Sequence, residues 1–289
     1  MFRWVGAGAT LPDNPFSCLA SFLSATMPVS DTLAFPRHAH RARCILMSLT
    51  FVVAGLLGGC ALPRAAQVPM DALWLPASPK QPGRTLIVFL PGSQEVPQDI
   101  VREGFVEEVR ARHPTVDVVV ADAHVGYFRS RSFEDRLRAD VMAPARARGY
   151  ESIWLAGISL GGFGSLMYAM NAPDEVAGVI ALAPFIAARP LLDEVDQAGG
   201  LARWQPALPL AAEDYQRHLL VWLKGFGDPA QVRPPLFVGY GTRDRLAPFP
   251  GLLDGVLPAE RLLSAPGGHD WRPWKAMWSD ALARAPLSP

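Results

Sequence analysis

The chain has 289 residues, 50% hydrophobic and 19% charged, enough apolar material for one sizeable core. Lys plus Arg and Asp plus Glu both number 27, a balance that excludes the clustered basic surplus of a nucleic-acid binder. No cysteine follows Cys60, which excludes a disulfide scaffold or a cysteine metal site in the remainder.

The early "GAGATL" has Gly6 and Gly8 but no third glycine and no preceding strand, so it is not a dinucleotide site. "RHAHRARCILMSLTFVVAGLLGGCALPR" then joins a basic flank (Arg37, Arg41, Arg43) to an uncharged run from Cys44 to Leu62. That order describes a secretory signal. Its end, Leu57-Gly58-Gly59-Cys60, resembles the lipobox of bacterial lipoproteins, in which cleavage precedes a cysteine that then carries lipid. The resemblance implies a leader over 1–59, a lipidated Cys60, and an exported protein anchored in the cell envelope, facing the periplasm or the exterior. An uncleaved membrane helix is the rival, since the run is long enough to span a bilayer. Both readings keep the basic flank in the cytoplasm. Counted from Met1 the signal is overlong; a start at Met27 restores the usual proportions and would leave residues 1–26 untranslated.

From residue 60 to about 83 the chain is rich in Pro and small residues and reads as a tether, within which "DALWL" offers an edge strand. The globular domain reads from 84 to 289. "RTLIVFLPG" carries five consecutive apolar residues, Leu86 to Leu90, and predicts a buried strand. "PQDIVREGFVEEVRARHP" predicts a helix, "VDVVVAD" a strand, and "SFEDRLRADVMAPARARGY" a helix bent or ended near Pro144. "SIWLAGIS" is a strand, "LGGFGSLMYAMNAP" a helix and "VAGVIALAPF" a strand. After an irregular stretch come "PPLFVGYG" (strand), "PFPGLLDGVL" (helix), "RLLSAPGG" (strand) and "HDWRPWKAMWSDALARA" (helix). Strands apolar throughout, alternating with helices, imply an α/β fold with a mostly parallel sheet covered on both faces.

Ser159 stands where one strand becomes a helix, in G-x-S-x-G between Gly157 and Gly161. That is the pattern of a nucleophile elbow, a turn so sharp that side chains two residues before and after the serine would collide. The turn aims the Leu160 N–H and the helix N-terminus at the point where negative charge would develop. A base and an acid follow in order. Asp244 lies in "GTRD" after the next-to-last strand and His269 in "GGHDW" after the last. Both positions are at carboxyl ends of strands, where open parallel sheets place their sites.

On "GISLGG", "GTRD" and "GGHDW", the chain from roughly Arg84 to Ala285 resembles the α/β-hydrolase family. The resemblance implies an eight-stranded parent sheet with the nucleophile after the fifth strand. Six strands are clear, matching the third to the eighth, so the N-terminal strands are reduced. It further implies a second oxyanion donor in "LPGSQE", the Ser93 N–H with Gln94 as second choice, where many relatives have His-Gly. The segment of about 186–232, between the sixth and seventh parent strands, corresponds to a cap over the site. Its Trp204, Leu219, Leu220, Trp222 and Leu223 would either line an acyl pocket or fold the cap onto the body, and its irregular pattern predicts little contribution to the core.

Other candidates read more simply. His124 is a loop contact or pocket lining, and His113 an interaction with the end of its own helix. Asp270 caps the final helix. Trp271, Trp274 and Trp278 form a core stripe, with Trp271 near enough to His269 to touch the pocket. Glu103, Glu107 and Glu108 form a solvated face. Asp193, Glu213 and Asp214 are rival acids in the irregular segment.

The expected protein is an envelope-anchored serine hydrolase acting on small ester or acyl substrates. Ser159 attacks, His269 moves the proton, Asp244 orients it, and Leu160 with Ser93 hold the oxyanion. Neither metal nor organic cofactor is required. A thioesterase, amidase or acyltransferase on the same residues, and a non-catalytic binding lipoprotein, are the alternatives.

Overall fold

The computed structural model describes residues 64–78, 83–249 and 251–287. The leader, the lipobox and Cys60 lie outside the described residues.

The strands are β1 (Ala72–Leu75), β2 (Thr85–Leu90), β3 (Asp117–Ala121), β4 (Ser152–Ile158), β5 (Gly178–Leu182), β6 (Leu236–Gly241) and β7 (Leu262–Ala265). They form one sheet in the order β1-β3-β2-β4-β5-β6-β7. All neighbours pair in parallel except β1, which runs antiparallel to β3 with Leu73 opposite Val120. The edge strand read in "DALWL" is therefore present. Residues ahead of it, read as tether, lie against the domain. Arg64 grips Asp122 through two hydrogen bonds of 2.6 and 2.9 Å, and the Met70 N–H donates to Asp140 at 2.7 Å.

The pleat explains the unbroken apolar runs. Leu86, Val88 and Leu90 enter one core while Ile87 and Phe89 enter the other. Helices α1 (Pro97–Arg102), α2 (Phe105–Arg112) and α9 (Trp271–Arg284) cover the second face, where Phe89 meets Phe105 and Trp278 edge-on at 5.4 Å. Such aromatic pairs add about 0.5–1.5 kcal/mol beyond burial. The first face is covered by α3 (Val125–Arg129), α4 (Phe133–Leu137), α5 (Ala143–Ala147), α6 (Leu160–Asn171), α7 (Arg189–Gln197) and α8 (Tyr215–Lys224). Among the described residues no helix is long and apolar enough to cross a membrane.

Three helices differ from their sequence pattern. The first is split into α1 and α2 by Gly104, whose φ of 86° breaks the helical path. The helix bearing Pro144 is not ended but carried past it, because a π-turn over Arg138–Met142 links α4 to α5. Among the described residues of "PFPGLLDGVL" no helix forms; residues 251–256 are turns, with Gly251 and Gly255 at φ 84° and 69°.

The segment between β5 and β6 is the main correction. Leu191, Val195, Leu201, Trp204, Leu220 and Leu223 are buried in the same cluster as the sheet's first face. It folds onto the body and is part of the core.

Candidate active site

Ser159 sits between β4 and α6 with φ 54° and ψ −113°, left-handed backbone that a side-chain-bearing residue adopts only under constraint. The constraint is visible on both sides. The Ser159 N–H donates to the Leu182 carbonyl at 2.9 Å, and the Ser159 carbonyl accepts from Phe163 at 3.0 Å. A Cβ on Gly157 would lie 2.3 Å from the Gly161 backbone, the collision expected across the turn. A Cβ on Gly161 would lie 2.0 Å from the Leu90 carbonyl and 2.4 Å from that of Pro91, so this glycine also admits the loop after β2. That loop carries Ser93 and Gln94, both exposed.

The carboxyl ends of β4, β5, β6 and β7 share one edge of the sheet, and Asp244 and His269 occupy it. His269 Nδ1 and Asp244 Oδ2 are 2.7 Å apart. The Asp244 side chain is 0% exposed, that of His269 22%. The other Asp244 oxygen, Oδ1, accepts the Leu246 N–H at 2.8 Å, which fixes the carboxylate. Trp274 meets the imidazole edge-on at 5.0 Å and stacks edge-on with Trp271 at 5.3 Å. Among the described residues no hydrogen bond joins Ser159 to His269. Such contacts are often long in an unliganded site and tighten around substrate. On the other flank of Ser159, the Phe185 N–H approaches its carbonyl at 3.4 Å, and Phe163 packs against Phe185 and Tyr215 at 5.9 and 5.8 Å.

One residue at the site had no motif to announce it. Glu95 lies in the loop after β2, where a Cβ on Gly92 would lie 2.1 Å from its Oε2. Burial pushes its pKa above the ordinary carboxylate value; the backbone N–H groups of Glu95 and Gln94 and a protonated His269 pull it down, while Asp99 adds to the rise. Tyr240, at the end of β6, donates to the Pro184 carbonyl at 3.0 Å, and burial with the nearby Asp244 charge raises its pKa.

The rival carboxylates are elsewhere. Asp193 pairs with Arg189 at 3.1 Å on an exposed face of α7. Asp214 caps α8 through the Arg217 N–H and also pairs with Arg217; Glu213 is exposed. Asp270 caps α9 by accepting from the Arg272 N–H. His124 is buried, with Nδ1 accepting from Gly126, a loop contact whose pKa burial lowers. His113 ends its own helix through its backbone N–H, which donates to the Val109 carbonyl at 2.7 Å, while its side-chain Nε2 meets the Leu282 carbonyl of α9 at 2.9 Å. Glu103 and Glu108 are half-buried, bonded to Lys275 and Ser279 of α9 as well as to arginines, so only Glu107 is wholly on the solvated face.

A family model described as "Putative esterase" matches residues 122–285, more than half of the chain and a span that holds Ser159, Asp244 and His269. The chain belongs to this esterase family and is a carboxylesterase-like hydrolase. No curated protein matches it. Similar solved structures include the Staphylococcus aureus fluorophosphonate-binding serine hydrolase F, at TM-score 0.55 and 18% identity over 77% of this chain and 95% of that one. The S. aureus S-formylglutathione hydrolase FrmB aligns at TM-score 0.51 and 19% identity over 76% and 97%. An S-formylglutathione hydrolase from Agrobacterium tumefaciens aligns at 0.52 and 13% over 77% and 92%. At these identities the likeness is one of fold, and it agrees with the mostly parallel sheet described above.

Proposed function

We propose that the protein hydrolyses small carboxylic esters through an acyl-enzyme on Ser159, with His269 as the proton carrier and Asp244 as its orienter. The reading is carried by the 2.7 Å Asp244–His269 hydrogen bond, set at the sheet edge that also bears the strained Ser159 turn. With Nδ1 held by Asp244, Nε2 is left to take the Ser159 proton as Oγ attacks the ester carbonyl. The carbonyl oxygen becomes an oxyanion and receives the Leu160 N–H and the Ser93 N–H. His269 then returns the proton to the departing alcohol. Water cleaves the acyl-enzyme by the same steps. In the envelope, Cys60 carries lipid as the mature amino terminus and the domain faces the periplasm or the exterior.

A fluorophosphonate probe on the full chain tests the catalytic part: the wild type is labelled and Ser159→Ala is not. Equal labelling of both would overturn it. For the anchor, Cys60→Ala is released from membranes or fails to be processed; a variant that stays membrane-bound with unchanged mass returns the uncleaved-helix reading.

A further inference from the structure

Residues 64–71 are laid along the carboxyl edge of the sheet. Asp122 directly follows β3, which runs parallel to β2 and β4, so it lies at the same edge as Ser159. Only β2 stands between β3 and β4, a separation of about 10 Å. Asp122 takes two hydrogen bonds from Arg64, and its own N–H donates to the Asp71 carbonyl at 2.8 Å. Midway along the segment, the Tyr127 hydroxyl accepts the Gln67 N–H at 3.3 Å and donates to the Gln67 carbonyl at 3.2 Å. A Cβ on Gly126 would lie 2.0 Å from the Arg64 carbonyl, so α3 is shaped to fit under this segment. The chain therefore enters the domain at the edge that bears the site. Only Ala61, Leu62 and Pro63 separate Arg64 from Cys60. Four residue steps reach about 14 Å at most. The opposite edge of the sheet is about 20 Å further off, since β2 and β4 are 6 and 7 residues long. A lipid on Cys60 thus has too little chain to bring that opposite edge to a bilayer.

The carboxyl edge carries a second feature on the other side of Ser159. In the sheet order β4 lies between β3 and β6. Just past β6, Leu246 is 66% exposed, and Arg243 and Arg245 beside it are exposed as well. An exposed leucine beside arginines suits a membrane surface. The apolar chain enters the acyl boundary, and each cation near anionic headgroups contributes about 1 kcal/mol.

We propose that the carboxyl edge of the sheet rests on the membrane, held by the anchor beside β3 and by Arg243, Arg245 and Leu246 beside β6. Ser159 then opens onto the bilayer and takes esters whose acyl chains lie in it. The inference rests on the anchored serine-hydrolase reading given above.

The test uses the processed, full-length protein reconstituted in vesicles of phosphatidylethanolamine and phosphatidylglycerol. Because no cysteine follows Cys60, a single reactive thiol can be placed on either edge. Leu246→Cys reports on the carboxyl edge, and Val232→Cys, at a residue 102% exposed ahead of β6, on the opposite one. Each carries a nitrobenzoxadiazole dye, and lipid spin-labelled at the headgroup is the quencher. The dye at 246 is quenched several-fold more than the dye at 232. Equal quenching, or stronger quenching at 232, would overturn the inference. The second arm inserts a Gly-Ser stretch of about 20 residues between Pro63 and Arg64, with a root-mean-square length of about 25 Å. Hydrolysis of 4-methylumbelliferyl palmitate held in the vesicles is compared with that of soluble 4-methylumbelliferyl acetate. The palmitate-to-acetate ratio falls about threefold or more in the lengthened protein, because its site spends less time at the surface. An unchanged ratio would overturn the bilayer-borne substrate. Fluorophosphonate labelling and membrane fractionation keep the failures apart. A labelled protein absent from membranes loses the anchor, and this inference with it. A membrane-bound protein that is not labelled loses the catalytic reading, and again this inference. One that is labelled and membrane-bound, with equal quenching and an unchanged ratio, loses this inference alone.

Discussion

The turn at Ser159 and the segment between β5 and β6 both flank the site, and they keep their shapes by opposite means. The turn depends on side chains that are absent. Gly157, Gly161 and the backbone carbonyls of Leu90 and Pro91 are so close that one added carbon at either glycine has nowhere to go. The β5–β6 segment depends on side chains that are large and buried: Trp204, Leu219, Leu220 and Leu223 are 0–1% exposed. Its Trp204 indole donates to Glu194, which also pairs with Arg217, and Lys224 donates to the Trp204 carbonyl. The first region holds one residue, Ser159, in strained backbone. The second adds core, and reaches the first through Tyr215 against Phe163. Changes to the polar side chains beside the turn should therefore cost turnover without stability, and changes in the segment stability before turnover.

The largest expected effect is at Asp244. Asp244→Asn keeps an oxygen for the Leu246 N–H but presents an amide N–H to His269. The imidazole must then accept at Nδ1 and carry its proton on Nε2, where it cannot take one from Ser159. Loss of the correct tautomer costs about 10⁴ in turnover. Steady-state kcat should fall by a few orders of magnitude while the thermal midpoint stays within a few degrees. A variant that retains turnover would remove Asp244 from the acid role.

Trp204→Ala tests the other half. Truncating a buried tryptophan costs about 3–5 kcal/mol. Urea unfolding should show that loss as a lower midpoint, while kcat per folded molecule changes little. If midpoint and unfolding slope are both unaffected, the segment is a separable cap, as its sequence pattern suggests, and the contrast drawn here fails.

What the sequence made legible follows the same division. The turn could be read because its requirements are local: a glycine two residues either side of a serine, a strand before and a helix after. Asp244 and His269 could be read because carboxyl ends of parallel strands share one edge. The burial of β2 on both faces was equally plain in five consecutive apolar residues. The β5–β6 segment left two placements open, and its contribution to the core could not be read, because its apolar residues are spread through Pro- and Gly-broken stretches. Glu95 was illegible for a related reason. Nothing in "GSQEVP" marks a carboxylate that folds back over Gly92. Gly104, Gly251 and Gly255 misled the helix assignments because periodicity registers side-chain spacing and not backbone sign.

A smaller effect is expected at Asp214, whose side chain accepts the Arg217 N–H at 3.1 Å and starts α8. Asp214→Ala removes that cap and its ion pair with Arg217. Caps of this type are worth about 1 kcal/mol. The unfolding midpoint should shift slightly, and ester hydrolysis at saturating substrate should not.

The smallest effect separates two aspartates that compete on paper for one role. Asp193 follows β5 and Asp244 follows β6, so each lies downstream of a strand that ends at the site. Their surroundings differ completely. Asp244 has no exposed side-chain area and bonds His269, whereas Asp193 is 51% exposed and faces Arg189 one turn away on α7. An exposed pair of this spacing contributes about 0.3–0.5 kcal/mol, and salt screens it further. Asp193→Asn keeps the shape of the side chain and removes only that pair. Turnover should match the wild type within error, and the unfolding free energy should drop by less than about 0.5 kcal/mol. Raising the salt concentration should erase even that difference, since a screened pair has little left to lose. A crippled Asp193→Asn alongside an active Asp244→Asn would exchange the two assignments and make the β5–β6 segment, not the β6 loop, the source of the orienting acid.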